Sequence, residues 1–404
     1  MVLSVRDQRP FAVIPTRAVN QALFLGGLFR SRSHSQISAR SQRRGWQCLM
    51  DYPHPLDHEE LGYVAEHYRL EDWRHILVYT AKKLKTNKAL DSCKIDGLLF
   101  VSLDANEHFA SRACCCDQCC ARQIKIRDEH GQEQEVTEYY HRYVFAQING
   151  PKLNLLLDLE PIRPAEEERQ AALRLLGRLR RNYGPRFFDG ITVDAWYSKG
   201  PFLSAVQKLG WGVVTVLKGK YEVMGEAQRL IEGKSPDLAF KQDDRQKRQV
   251  QLWKVDDLDF TDSYSGKISV VTSQEQWEKA CYRGGKKCRK QLSSQWIWGV
   301  TEEFAGYGAK TIWRVGHRRW GIENKAFREL TQEYHLEHCF HHHPVAMLAQ
   351  MLILMLAFNM FNAYAILQDP LWREGKTTLC ALTEKMLLHL ELHFLGVPVP
   401  LDSG

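Results

Sequence analysis

Residues 311–333 read TIWRVGHRRWGIENKAFRELTQE, and their pattern predicts an amphipathic helix. The apolar positions of the pattern are Trp320, Ile322, Phe327 and Leu330. Residues four apart lie on the same face of a helix, so Arg319 and Glu323 point the same way. Taken alone, this pair is typical of an exposed ion pair that contributes little to stability.

The wider string RWGIENKAFREL, residues 319–330, resembles the glutamate helix of DDE transposases from bacterial insertion sequences. It is most similar to the type with a Tyr-x2-Arg-x3-Glu-x6-Lys signature. Arg319 and Glu323 match two of the four positions, whereas Gly316 and Leu330 stand where the family has tyrosine and lysine. These two departures are compatible with a divergent branch or a decayed copy. The resemblance implies two partner aspartates on upstream strands.

Two upstream segments supply such aspartates. Asp104 lies in the strand-like segment GLLFVSLDANEHFAS, and Asp194 ends the strand-like segment FFDGITVDAWYS. The predicted order of strand, strand, strand, helix, strand, helix, strand indicates a mixed α/β sheet. This order resembles the ribonuclease H-like core, in which the aspartates lie on the first and fourth strands. Asp158, in LLLDLEP on the third strand, is the alternative first aspartate.

The family resemblance implies the chemistry. Asp104, Asp194 and Glu323 are oxygen ligands that can hold two Mg²⁺ ions about 3.5–4 Å apart, with Mn²⁺ as a substitute. A transposase cleaves the ends of its element with water and then joins the free 3′-hydroxyl to target DNA. Its expected partners are double-stranded DNA, both element ends and target, and a second copy that forms a homodimer on paired ends. The alternatives are a nuclease or resolvase that cuts without joining, and a decayed DNA-binding protein.

The sequence divides into five expected regions around this core. They are a basic arm with a helical, predicted DNA-binding region (1–92), the first part of the catalytic core (93–221), a mostly β insertion (222–302), the glutamate helix with a core-completing helix (303–366), and a helical C-terminal tail (367–404).

Several basic and aromatic residues are candidate DNA contacts. The first 45 residues hold eight arginines. Such a segment is either a disordered basic tail or a part of the protein that contacts phosphates. We expect Arg319 to contact a phosphate near Glu323. In the insertion, Trp298 can stack on an unpaired base beside a basic cluster, unless the tryptophans there form a small core. The cluster includes Lys286, Lys287 and Arg289.

Cysteines and histidines suggest a second kind of site. Cys116 and Cys119 have the Cys-x2-Cys spacing of a zinc hairpin, which makes structural Zn²⁺ an alternative to a turn without metal. A second ligand pair is not evident, although His141 lies on the next strand. The histidines of residues 335–343 could also bind a metal ion, but we expect them to pack or to face DNA, because imidazole is a poor ligand for Mg²⁺.

Composition sets the remaining expectations. The 404 residues, 44% hydrophobic and 25% charged, are typical of a globular protein, and the net charge of +7 suits a polyanionic partner. Eleven cysteines in irregular clusters indicate a reducing cytoplasm, where this protein would associate with the nucleoid. The apolar run 345–367 contains Gln350, Asn359 and Asn362, so we expect a buried core helix rather than a membrane span.

Overall fold

The computed structural model describes residues 2–129, 131–151, 153–242, 247–261, 263–283, 286–368 and 377–394. Within these residues, ten strands form one mixed sheet. The strands are β1 (Phe100–Ser111), β2 (Cys120–Arg127), β3 (Glu133–Asn149), β4 (Asn154–Pro161), β5 (Gly190–Val193), β6 (Gly212–Val216), β7 (Leu238–Lys241), β8 (Gln249–Asp259), β9 (Lys267–Arg283) and β10 (Lys286–Thr301). Their order is β2-β3-β1-β5-β6-β10-β9-β8-β7, and β4 also pairs with β3.

Helices precede, connect and follow these strands. They are α1 (Thr16–Leu28), α2 (His34–Ser41), α3 (Arg44–Met50), α4 (His58–Glu66), α5 (Leu70–Thr86), α6 (Glu168–Tyr183), α7 (Gly200–Lys208), α8 (Glu222–Ile231), α9 (Ala309–Arg318), α10 (Arg328–Tyr334), α11 (Pro344–Gln368) and α12 (Leu379–Phe394). A π-helix (Ile322–Phe327) lies between α9 and α10.

The centre of the sheet is formed by β4, β3, β1, β5 and β6. The first three strands pair antiparallel, whereas β1, β5 and β6 pair in parallel. Parallel strands need crossover connections, and α6 and α7 provide them. In α6, Glu168 lies in the first turn and Arg180 and Arg181 in the last, as the helix dipole favours, and the helix stops at Gly184 with φ 83°. This arrangement confirms the predicted mixed α/β, ribonuclease H-like fold.

Helix α11 lies in the helical half of the core, against α1, α4, α5 and β4. Its segment Pro344–Ile366 is long and apolar enough to cross a membrane, but 83% of the apolar window is buried inside the protein. Asn359 accepts a hydrogen bond from Leu156 N at 2.8 Å and donates one to Leu156 O at 2.7 Å. The amide therefore supplies hydrogen-bond partners to the backbone N–H and C=O groups of Leu156 on β4, as expected for a polar residue of a core helix.

The arginine-rich segment near the N-terminus is folded. Ser33 caps α2 by accepting a hydrogen bond from Gln36 N, and Ile37 in this helix is fully buried. The buried Arg30 forms an ion pair of 2.5 Å with Glu333 on α10. The disordered-tail alternative is therefore wrong for this segment, and part of its positive charge serves internal contacts.

The region predicted as an insertion extends the core sheet. It contains α8 and β7–β10, and β10 pairs antiparallel with β6. Strands β9 and β10 form a long hairpin whose register runs from Arg283 opposite Lys286 to Ile268 opposite Thr301. Helix α9 packs on β6, β8, β9 and β10, so these strands support the start of residues 311–333, which we call the glutamate segment.

Candidate active site

Asp104 and Asp194 lie side by side on neighbouring parallel strands. Ser102 of β1 is in register with Thr192 of β5, and each aspartate follows two residues later. Residues two apart on a strand point to the same face of the sheet. Asp194 ends β5 because its Oδ1 accepts a hydrogen bond from Trp196 N at 2.9 Å, which caps a short 3₁₀ turn. The two carboxylates therefore share one edge and one face.

Glu323 lies on the π-helix rather than on the continuous α-helix predicted from the sequence. Such π-bulges are frequent at functional sites because they redirect side chains. The apolar side of the bulge is anchored by Phe327, whose ring contacts that of Phe145 with centroids 5.2 Å apart. Phe145 is the β3 residue opposite Asp104, so this contact holds the bulge over the strand that carries the aspartate.

The charges of these residues are coupled. Burial raises the pKa of Asp104 to about 8, and a hydrogen bond with Glu323 and the negative charges of Glu323 and Asp194 act in the same direction. Arg319 opposes the rise: its guanidinium lies 3.4 Å from Asp104 Oδ2 and 2.9 Å from Glu323 Oε1, and only 3% of its side chain is exposed. Arg319 thus joins Asp104 to Glu323, and the negative charge of Asp194 also acts on Asp104, so the three carboxyl groups lie close together.

Asp158, the alternative first aspartate, lies on the other face of the sheet. It pairs with Ala146, which in turn pairs with Leu103, and directly paired residues point to the same face. Leu103 precedes Asp104 on β1, so the two side chains point in opposite directions. Asp158 instead forms ion pairs with Arg178 at 2.6 Å and with Arg74 at 3.3 Å. Its carboxylate is therefore part of a buried ion-pair network and is separate from Asp104.

Two of the residues predicted to contact DNA have other environments. Trp298 is 1% exposed and lies in the core, so the prediction that it stacks on a base is wrong. Arg319 is engaged with two carboxylates and does not have the free surface position expected of a phosphate contact. Arg289 is exposed and lies 3.2 Å from Glu278. The side chains of Lys286 and Lys287 lie outside the described residues.

The packing accounts for both departures from the four-residue signature. A Cβ atom at Gly316 would lie 2.2 Å from Trp298 Nε1, so the indole excludes a tyrosine at that position. Leu330 is fully buried in the hydrophobic core, where a lysine would leave its ammonium group without water. Gly316 and Leu330 are therefore matched to their surroundings in this chain.

A basic cavity of about 600 Å³ adjoins the glutamate segment and was not predicted from the sequence. Its lining includes six lysines and arginines: Lys241, Arg248, Lys310, Arg314, Arg318 and Lys325. Three of these belong to the glutamate segment and recur at intervals of four and seven residues, at positions 314, 318 and 325. That spacing predicts a common helical face, and it is the signal that could have revealed half of the cavity.

A second cluster of metal-ligating side chains lies apart from the carboxylates in the sequence. The ligand atoms of Cys116, Cys119, His141 and His342 all lie within 4.8 Å of one another. The Cys-x2-Cys spacing predicted the two cysteine ligands, whereas His342 was expected to belong to a packed or DNA-facing helix end. The fold supplies the two imidazoles from distant positions.

The family of the chain follows from sequence comparison. A family model for the transposase DDE domain matches residues 155–360, about half of the chain. The chain belongs to this family. The matched range contains Asp194 and Glu323, and Asp104 precedes it. The predicted resemblance to DDE transposases is confirmed, whereas the bacterial insertion-sequence type stays a prediction.

No curated protein sequence matches the chain significantly. Among solved structures, the chain is similar to the piggyBac transposase in a synaptic complex with hairpin DNA. The TM-score is 0.41 and the sequence identity 11%, and the match covers 98% of this chain and 77% of the other.

Proposed function

We propose that Asp104, Asp194 and Glu323 are the catalytic residues of a DNA transposase that cleaves element ends and joins the 3′-hydroxyl to target DNA. The observation that carries this proposal is the convergence of three carboxyl groups on one face of a ribonuclease H-like sheet. The family membership supplies the reaction class. The raised pKa of Asp104 supports a specialised site, since such shifts cluster where side chains have chemical roles.

The three residues fit hard divalent cations. Carboxylate oxygens are the ligands that Mg²⁺ and Mn²⁺ prefer, and clustered negative charges of partly buried carboxylates are costly without a cation. When bound, Mg²⁺ would activate an attacking oxygen and stabilise a leaving oxygen at phosphorus. Asp104, Asp194 and Glu323 would hold the metal. Arg319 is a positioning residue here, because it contacts two of the carboxylates from their buried side.

The basic cavity supports a DNA partner. Lysine and arginine side chains contact phosphates and fix the position of a protein on a duplex without reading its sequence. The cavity shares Gly321 and Lys325 with the segment that carries Glu323, so a bound strand would contact that segment. Double-stranded element ends and target DNA, a homodimer on paired ends, and a location at the cytoplasmic nucleoid belong to the same proposal.

The test uses duplexes taken from the two flanks of the gene in its own genome, together with a supercoiled target plasmid. We expect Mg²⁺- or Mn²⁺-dependent nicking and joined product with the full-length protein. Asp104→Asn, Asp194→Asn and Glu323→Gln should each lower both products at least about 100-fold, as losses of key electrostatic groups do. Asp259→Asn, which alters an exposed aspartate paired with Lys267, is the control.

Each alternative function has its own outcome in this test. Nicking without joined product would replace the transposase by a nuclease or resolvase on the same site. Metal-independent DNA binding with no cleavage under any condition would indicate a decayed protein. Cleavage by Asp194→Asn at the wild-type rate would refute the assignment of the catalytic residues.

A further inference from the structure

The Cys/His cluster joins three separate parts of the chain. Cys116 and Cys119 lie in the turn between β1 and β2, His141 lies on β3, and His342 lies in the loop between α10 and α11. That loop is the continuation of the glutamate segment. The cluster therefore brings the turn that follows the Asp104 strand into contact with the loop that follows the Glu323 segment.

Four of the distances between ligand atoms are close to those of a tetrahedral zinc site. The two Sγ atoms are 3.7 Å apart, and His141 Nε2 lies 3.5 Å from Cys116 Sγ and 3.2 Å from Cys119 Sγ. His342 Nε2 lies 3.6 Å from Cys119 Sγ. Tetrahedral bonds of about 2.3 Å to sulfur and about 2.0–2.1 Å to nitrogen place neighbouring ligand atoms about 3.3–3.8 Å apart.

The chemistry of the four groups selects the metal. Two thiolates and two imidazoles form a closed Cys₂His₂ set, which is typical of structural zinc and unsuited to Mg²⁺. A disulfide does not explain the pair, because bonded sulfur atoms lie about 2.05 Å apart. The backbone N–H of Cys116 points to Cys119 Sγ at 3.3 Å, a contact that stabilises thiolate charge.

We propose that Cys116, Cys119, His141 and His342 bind one structural Zn²⁺ that ties the β1–β2 turn to the loop after the glutamate segment. Other contacts already link these two parts. The ring of Phe109 on β1 lies 5.2 Å from that of His342, and His108 on β1 contacts the carbonyl oxygen of Leu336. The bound Zn²⁺ adds four metal–ligand bonds to these contacts. It thereby fixes β1, which carries Asp104, relative to the segment that carries Glu323.

The direct test is metal content. Full-length protein purified from zinc-supplemented cells should hold about one Zn²⁺ per chain by elemental analysis. Cys116→Ser, Cys119→Ser and His342→Ala should each lose most of this zinc. Cys120→Ser is the matched control: Cys120 follows Cys119 directly, but its sulfur lies near the carbonyl oxygen of Ile162 at 3.7 Å and is outside the cluster.

A second measurement keeps the proposal testable if a variant fails to fold. Wild-type protein exchanged with Co²⁺ should show the visible absorption of tetrahedral cobalt with thiolate ligands. Glu323→Gln should keep both this spectrum and the zinc content, because the carboxylate site is separate. Zinc-free wild-type protein that gives no tetrahedral cobalt spectrum would refute the site, as would wild-type zinc content in Cys116→Ser and Cys119→Ser. Either result leaves the assignment of the carboxylates untouched.

Discussion

At the residue scale, the raised pKa of Asp104 predicts a stability that depends on pH. The ordinary value is 3.8 and the folded value is about 8, so the folded protein holds a proton that the unfolded chain releases. Without divalent metal, this contribution is complete below about pH 4 and is lost as the pH rises through 8. Asp104→Asn stays neutral and should melt several degrees above the wild type at pH 9 in EDTA, but alike near pH 4. Scanning calorimetry measures the difference in melting temperature between Asp104→Asn and the wild type, with Asp259→Asn as the control. A difference that does not change with pH contradicts the prediction.

Sequence was informative about residues whose role is set by local pattern. Asp194 follows a buried strand directly, and Glu323 lies four residues after Arg319, so both could be selected before the fold was known. The burial of Trp298 could not be predicted, because it depends on Gly316, which lies eighteen positions away on another element. An indole in a basic stretch is compatible with either a core or a surface until that contact is known.

At the element scale, Glu275 connects β9 to α9. Its side chain is fully buried and accepts hydrogen bonds from His317 Nε2 at 2.6 Å and Trp313 Nε1 at 2.8 Å, and it pairs at 2.6 Å with Arg248, the residue before β8. Burial alone would raise the pKa of Glu275, but the contacts with His317, Trp313 and Arg248 outweigh it and lower the pKa to about 2. This carboxylate therefore stabilises the fold above about pH 4.5, and its contribution is lost as the pH falls through 2.

Glu275→Gln should accordingly destabilise the protein by about 3–5 kcal/mol at pH 7, the usual cost of removing one partner of a buried ion pair. The difference from the wild type should shrink at pH 3, where the wild type has lost part of this contribution. Urea unfolding at the two pH values provides the measurement. Glu278→Gln on the same strand, whose carboxylate is half-exposed and pairs with Arg289, should change little. Equal losses in the two variants would contradict the assigned role of Glu275.

Element boundaries were predictable only where local signals are strong. The apolar spacing of residues 311–333 indicated a helix, and the chain there is helical in three segments, α9, the π-helix and α10. The π-helix depends on how Phe327 packs against Phe145 of β3, a contact between residues far apart in sequence. Periodicity within one segment carries no information about such a contact.

At the scale of the whole molecule, the sites that the sequence missed are those assembled from distant elements. The basic cavity combines the end of β3, β7, the residue before β8, α9 and the π-helix, and the zinc cluster spans residues 116 to 342. The core order was predictable because strands β4, β5 and β6 alternate with helices α6 and α7 between residues 154 and 216. The convergence of single lysines or imidazoles depends on how the insertion and the loop before α11 return to that core.

The basic cavity leads to a prediction about DNA affinity. Lys241 and Lys310 are exposed residues of its lining, and Lys310 lies over the ring of Phe240 at 4.8 Å. Their replacement by alanine removes positive charge without disturbing the carboxylates. If each lysine contacts one phosphate, each substitution should reduce by about 0.9 the steepness with which the logarithm of the DNA association constant falls against the logarithm of the salt concentration.

The matched control is Lys125→Ala. Lys125 is an exposed lysine on β2, at the edge of the sheet opposite β7, so its loss changes the net charge equally but leaves the cavity intact. Fluorescence anisotropy with a labelled duplex, titrated at several salt concentrations, gives the slopes. Because a general charge effect would act through any lysine, equal slopes for Lys125→Ala and Lys310→Ala would assign the DNA to another surface. A slope reduced only in the cavity variants would place the duplex in the cavity, against the segment that carries Glu323.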